Sequence, residues 1–264
     1  MCLIAFAWQC HEDYPLIVLA NRDEFFQRPA QPAHWWADAP ALLAGRDLQA
    51  GGSWMGLSAS GRFAALTNFR EPSRPAVDAP SRGALVRAAL ESTETAHDQL
   101  QALAGHSARY AGFNLLLSDG QTLGVLESHT GMVNMLEAGV YGLSNHLLDS
   151  PWPKLLKVRE GLRQWLSAEA GATASSSLPD AAAALTLQLL RDDQPVADQD
   201  LPTTGLSLEW ERALSAPFIR APGYGTRCTS LVCLARNGVT QLREWSWDEH
   251  GQLRSEVNHR FPQP

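Results

Sequence analysis

Met1-Cys2-Leu3-Ile4-Ala5-Phe6-Ala7-Trp8 and, after one turn, Pro15-Leu16-Ile17-Val18-Leu19-Ala20-Asn21-Arg22-Asp23-Glu24 decide how this chain is read. Both runs are apolar and β-prone, and His11-Glu12-Asp13-Tyr14 between them is turn-like, so the pair predicts a hairpin. Such a hairpin holds Cys2 at the tip of one strand while Asn21 to Glu24 emerge from the end of its neighbour. A small residue after the initiator Met normally allows that Met to be removed. Removal leaves a cysteine carrying both a thiol and an α-amine, and the amine can serve as base for its own side chain.

Working outward, Gln27 to Ala50 is rich in Pro and Ala and reads as an irregular surface excursion. Trp35 and Trp36 within it either wall a pocket or pin the loop to the core. Ala50 to Phe69 reads as strand, Ser-Gly turn, strand, with Gly51-Gly52 giving backbone freedom where segments crowd and Trp54, Leu57, Phe63 and Leu66 as a core face. Glu71 to Pro80 is a Pro-punctuated loop. Ser81 caps a helix through Leu90, and Thr95 to Leu103 predicts a second. Four short strands follow, 112–118, 122–127, 132–136 and 140–145, which read as an antiparallel meander. Ser150 with Pro151 just inside starts a helix bearing Leu155, Val158, Leu162 and Trp165. Residues 170–177 read as a link, Asp180 to Leu190 as a helix and Asp192 to Pro202 as an acidic loop. Strands return at 226–235, 239–247 and 253–261, with Asn237-Gly238 as a hairpin turn. The alternation of strand and helix blocks predicts one α+β domain over residues 1–264, built on two sheets or one large mixed sheet.

Composition narrows the function. With 21 Lys+Arg against 28 Asp+Glu and a net charge of -7, the chain has no electrostatic footprint for nucleic acid or an anionic membrane. No run approaches the ~20 apolar residues of a membrane span, and no basic region precedes a secretory core, so a cytoplasmic location is expected. Cys2, Cys10, Cys228 and Cys233 form no Cys-x-x-Cys pair, and the eight His show no ligand spacing, so neither a metal nor another cofactor is expected. Cys10, Cys228 and Cys233 read as small core residues.

A cysteine nucleophile needs a base, donors for the oxyanion and groups that fix geometry. An α-amine on Cys2 has an ordinary pKa of about 7.7 to 8.0, suited to taking the thiol proton directly or through water. Asn68 and Asn145 each end an apolar strand, where the amide is either a turn cap or an oxyanion donor. Arg22, Asp23 and Arg227 lie at strand ends. There they form either an ordinary ion pair or a cluster that orients the amine and lowers the thiol pKa.

Taken together, Asn21-Arg22-Asp23-Glu24, Gly51-Gly-Ser-Trp-Met-Gly56, Leu66-Thr-Asn-Phe69, Ser81-Arg-Gly83, Gly112-Phe-Asn-Leu-Leu116, Tyr141-Gly-Leu-Ser-Asn145 with Asp149 and Pro151-Trp-Pro-Lys154, and Tyr224-Gly-Thr-Arg227 resemble the NRDE family, the homologues of the transport and Golgi organisation 2 protein. The resemblance implies the N-terminal nucleophile hydrolase fold, a four-layer αββα sandwich of two antiparallel sheets. Cys2 and the hairpin from Gly56 to Phe69 also resemble choloylglycine hydrolases and penicillin V acylases. That similarity implies Cys2 as nucleophile on a C–N amide bond of a small, partly apolar substrate, Asn68 and Asn145 as oxyanion contributors, and Asp23 as partner of the Cys2 amine. Those amidases carry Arg-Asn-x-Asp where this chain has Ala20-Asn21-Arg22-Asp23, so Arg22 either takes over the arginine's role or that role is lost. Arg227 matches their second arginine loosely. The NRDE resemblance implies an alternative as well: a non-catalytic binder or carrier of haem or an acyl-CoA or lipid.

Overall fold

The computed structural model describes residues 2–71, 79–169 and 177–262. β1 (Cys2–Trp8) and β2 (Leu16–Phe25) form the predicted hairpin, with Cys2 opposite Arg22 and Trp8 opposite Leu16. Next come β3 (Ala30–Trp36), β4 (Ala39–Asp47), β5 (Met55–Ser58) and β6 (Phe63–Asn68). Helices α1 (Gly83–Glu91) and α2 (Ala96–Ala104) precede β7 (Phe113–Ser118), β8 (Leu123–Glu127), β9 (Met132–Met135) and β10 (Gly139–Leu143). Three helices follow, α3 (Pro153–Glu169), α4 (Leu178–Leu190) and α5 (Leu208–Ala213). The last strands are β11 (Arg220–Ala221), β12 (Tyr224–Leu234), β13 (Val239–Trp247) and β14 (Leu253–Pro262). The class is α+β, with two seven-stranded antiparallel sheets.

The chain divides into two compact units, the first made of Met1–Gln27, Glu137–Ser144 and Asp149–Pro262. Its sheet runs β10-β1-β2-β12-β13-β14, with β11 on β12. Side chains alternate along a strand, so Leu3, Ala5, Ile17, Leu19 and Leu231 point together toward Leu155, Val158 and Leu162 of α3 and Leu185 of α4. Each such Leu contributes roughly 1.5–3 kcal/mol by leaving water. Gly142 lets α3 lie this close, because a Cβ there would come within 2.7 Å of Leu155. Cys2, Ile4, Phe6, Val18, Ala20 and Arg22 occupy the other face by the same alternation, and all are buried.

The second unit contains Arg28–Leu136 and Asn145–Leu148. Its sheet is a meander in chain order, β3 through β9. Ala64, Leu66, Leu115 and Leu117 meet Leu85, Val86 and Leu90 of α1 and Leu100 of α2 in one core. Gly52 lies against the start of α1, where a Cβ would sit 2.4 Å from the Gly83 carbonyl carbon, as expected of a glycine where segments crowd.

Several sequence expectations are corrected. Residues 27–50 are not an irregular excursion but β3 and β4. Pro29 and Pro32 point away from a strand, yet an edge strand tolerates a missing N–H, and β3 is the edge of its sheet, with register shifts at Gln31/His34 and Trp35/Trp36. Trp36 is buried there, donating from Nε1 to the Ala44 carbonyl at 3.0 Å. The meander predicted over 112–145 loses its last strand, because β10 leaves that sheet and pairs with β1. That pairing covers an edge the hairpin would otherwise leave open. Trp54 is only partly buried, while Leu57, Phe63 and Leu66 are in the core. α3 begins at Pro153, two residues beyond the expected start. Arg82, not Ser81, stands at the N-cap of α1, with no side-chain cap bond. Cys10 is exposed, since it follows β1 into the turn, whereas Cys228 and Cys233 are buried as expected. Most of the Glu71–Pro80 loop and of the 170–177 link lies outside the described residues. Among the described residues, no helix is long and apolar enough to cross a membrane.

Candidate functional site

β1 starts at Cys2, and the strand pairing places Arg22 beside it. Cys2 is buried, and burial pushes its thiol up to about 11, with Arg22 pulling the other way and Asp23 and Glu24 adding to the rise. A thiol held that high is neutral at pH 7, so it attacks only if a nearby base takes its proton. Ser144 fixes the backbone at this point: its hydroxyl donates to the Cys2 carbonyl at 2.9 Å.

The Asn21-Arg22-Asp23-Glu24 tetrad divides by strand alternation. Asn21, on the helix side, is fully buried and donates to the carbonyls of Leu190 (2.8 Å) and Pro217 (2.9 Å). It accepts from the Thr229 hydroxyl at 2.6 Å, and Trp247 Nε1 in turn donates to that hydroxyl. These bonds tie the end of α4 and the approach to β11 onto β2, so Asn21 is committed to structure. Asp23 lies on the same side and accepts from the Thr226 hydroxyl at 2.7 Å. Burial raises the Asp23 carboxyl, opposed first by Lys154, a buried cation on α3. Lys154 Nζ itself donates to the Leu214 carbonyl at 2.8 Å.

Arg22 and Glu24 point the other way, toward the Cys2 side, 3.9 Å apart. Cys228 on β12 is the other cross-strand neighbour of Arg22, so the guanidinium-bearing residue stands between two thiol-bearing ones. Burial drives the Cys228 thiol well above its ordinary value, and Glu244 adds to the rise. Glu244 is buried on β13 and accepts from Ser230 at 3.4 Å. Arg227 is the extra residue of a bulge between Thr226 and Cys228. A bulge re-aims a side chain. Here Arg227 donates to the Phe25 carbonyl at 2.8 Å and lies over the Phe26 ring, its pKa lowered by burial and by Arg22 nearby.

In the second unit, Asn68 and Asn145 meet. Asn145 is fully buried, and its side-chain amide donates to the Asn68 carbonyl at 2.9 Å. The Asn145 carbonyl accepts from the Arg70 amide at 2.8 Å. The Asn145 amide is therefore not a simple turn cap. By register, however, the Asn68 side chain is in line with Leu66 on the face that carries α1, so the group it offers Asn145 is its backbone carbonyl. Phe69, the next residue, stacks on His129 (4.3 Å between ring centroids) and on His146 (5.2 Å). Burial and the neighbouring His129 hold His146 below its ordinary pKa.

The structure thus gathers Cys2, Arg22, Asp23 and Arg227 at one end of the first sheet, turns Asn21 away to a packing role, and pairs Asn68 with Asn145 in the second unit. Ser144, Thr226, Glu244 and Lys154 have no role in the sequence reading, and Cys228 enters it only as a small core residue. Ser144 and Thr226 lie inside the motifs Tyr141 to Asn145 and Tyr224 to Arg227, where a hydroxyl beside a candidate residue was the available signal. Cys228 and Glu244 gave none, since a lone buried Cys or a strand Glu reads as packing or surface.

A family profile described as transport and Golgi organisation 2 matches residues 1–249. The transport and Golgi organization 2 homolog of Mus musculus is 30% identical over 278 residues, covering 98% of this chain and 97% of the mouse protein. The Bos taurus homolog is 32% identical over 264 residues, 93% of each chain. Among solved structures, a variant of conjugated bile acid hydrolase from Clostridium perfringens is similar over 100% of this chain and 98% of that one, at 10% identity and a TM-score of 0.49.

Proposed function

We propose that this chain, which belongs to the transport and Golgi organisation 2 family, is an amidohydrolase that cleaves a C–N amide bond of a small, partly apolar substrate with Cys2 as nucleophile. The observation that carries the reading is the local anchoring of Cys2. It is the first residue of β1, its carbonyl is held by Ser144, and the residue after Ser144 in the chain is Asn145.

In the proposed sequence Met1 is removed and the α-amine passes to Cys2. The neutral amine takes the thiol proton, and Sγ attacks the amide carbon, giving a tetrahedral oxyanion. Asn145 donates to that oxygen. The bond from its amide nitrogen to the Asn68 carbonyl holds that side chain in place. Asn68 therefore contributes by orienting the donor. The proton held on the α-amine passes to the leaving nitrogen as the C–N bond breaks, leaving an acyl thioester on Cys2. Water, deprotonated by the same amine, then hydrolyses the thioester and restores the thiol. Asp23 supports the protonated amine, and Arg22 and Arg227 supply positive potential on the thiol side.

The test compares wild-type protein and Cys2→Ala on a panel of N-acyl amides of graded acyl length. Turnover by the wild type and none by the variant, with both folded, is the expected result. If neither hydrolyses any member while Cys2→Ala binds haemin or an acyl-CoA saturably by Trp fluorescence, the chain is a carrier and the hydrolase reading fails.

A further inference from the structure

We infer that Asn114 is a positioning residue for the Asn68–Asn145 pair. This inference rests on the reading above, in which Asn145 is the oxyanion donor. Asn114 lies on β7 opposite Thr67 and is fully buried. Its side-chain amide donates to the Thr67 hydroxyl at 3.0 Å and to the His146 carbonyl at 2.8 Å. Thr67 is the residue before Asn68, and His146 is the residue after Asn145. One side chain therefore holds a neighbour of each member of the pair, using both hydrogens of its amide.

The need for such a clamp follows from the local structure. Residues 145–148 are a short irregular stretch, with neither helix nor ladder to fix their backbone. Other bonds that hold this stretch within its unit include Asn145 Nδ2 to the Asn68 carbonyl, the Arg70 amide to the Asn145 carbonyl, and the Leu148 amide to Glu127 Oε1 at 2.7 Å. Asn114 reaches both the residue before Asn68 and the residue after Asn145 from a third element, β7. An oxyanion donor acts only if it is already aimed when charge develops, and an error of an ångström in a positioning group costs on the order of a hundredfold. Asn114 acts through Asn145 and touches no reacting atom.

The test uses the full chain with Asn114→Ala, which removes both bonds, and Asn114→Asp, which keeps the shape and removes the NH2 donor. Hydrogen exchange reads the clamp without reference to activity. The Arg70 and Leu148 amides are expected to exchange at least about tenfold faster in either folded variant, with the amides of β1 and β2 unchanged. Exchange that rises everywhere together, or nowhere, overturns the clamp. Kinetics then read its purpose. The kcat on a hydrolysed amide is expected to fall about tenfold or more with KM within about twofold, and that loss is expected to vanish when Asn114→Asp is made in an Asn145→Ala background. A loss that is the same in both backgrounds, or no loss, overturns the positioning role. Absence of wild-type turnover counts against the hydrolase reading alone, and the exchange result still decides whether Asn114 is the clamp.

Discussion

The two faces of the first unit's sheet carry different sets of polar residues around a shared charged end, Asp23 and Lys154 lying on the helix side. On the helix side Asn21, Thr229 and Trp247 close a hydrogen-bonded set in which every side chain is tied to a carbonyl or hydroxyl of a neighbouring element. On the other side Cys2, Arg22, Cys228 and Glu244 are buried on four adjacent strands, and the thiols are held protonated. A polar group buried for stability is satisfied by fixed partners. A row of thiols, a guanidinium and a carboxylate is costly to bury and is characteristic of a site that does chemistry. On the proposed reading, adjacent residues of one motif serve different tasks, because a strand sends them to different faces.

That division is broken or sharpened by substitution on each side. Cys2→Ala should abolish turnover, a loss of roughly 10⁴-fold or more by analogy with other nucleophile deletions, while leaving the urea midpoint within experimental error. A large drop in that midpoint would mean that Cys2 is mainly a packing residue. Asn145→Ala should lower kcat by about 10²–10³-fold, the usual effect of losing one oxyanion donor, measured by steady-state kinetics on the amide that the wild type hydrolyses best.

Asn21→Leu should do the reverse of Cys2→Ala. It removes three hydrogen bonds and leaves buried carbonyls at Leu190 and Pro217, so stability should fall by on the order of 3 kcal/mol in denaturant titration. The kcat per folded molecule should be preserved. A loss of kcat without a loss of stability would move Asn21 into the chemistry and erase the contrast between the faces.

The pH dependence gives a smaller effect with a definite sign. A thiol raised to about 11 supplies almost no thiolate near neutrality, so the rate depends on a neutral base rather than on thiol ionisation. In the processed chain kcat/KM should rise with pH as the α-amine loses its proton, through a midpoint near the ordinary amine value of about 8. Removing the negative charge in Asp23→Asn should lower that midpoint, since an anion beside the amine favours its protonated form. An unchanged midpoint would separate Asp23 from the amine.

Much of the fold was legible because apolar runs and turn residues coincide. The opening hairpin, the hairpin ending at Asn68 and the turn at Asn237-Gly238 all follow from local signals, and the Gly238 backbone does take the left-handed conformation. Residues 27–50 were misread because proline argues against a strand in general but not at a sheet edge. The exchange of β10 between sheets was hidden for a different reason: strand partners are set by tertiary pairing, which short apolar runs do not encode. Among the candidate residues, the presence of Asn68 and Asn145 at strand ends was visible, but their mutual bond was not. Alternation could have separated Asn21 from Arg22, because two neighbours on a strand with a covered face cannot both point to the same side. Asn114 lies inside the quoted Gly112-Phe-Asn-Leu-Leu116 motif and stands out only once its two acceptors are seen.

The most direct test of the central claim is the intact mass of the native protein before and after reaction with an electrophilic acyl probe. The unreacted chain is expected to lack Met1 and the reacted chain to gain one acyl group, mapped by peptide mass to Cys2. The exposed Cys10 serves as the internal control for nonspecific labelling. Retention of Met1 throughout the preparation, or acylation confined to Cys10, would contradict it.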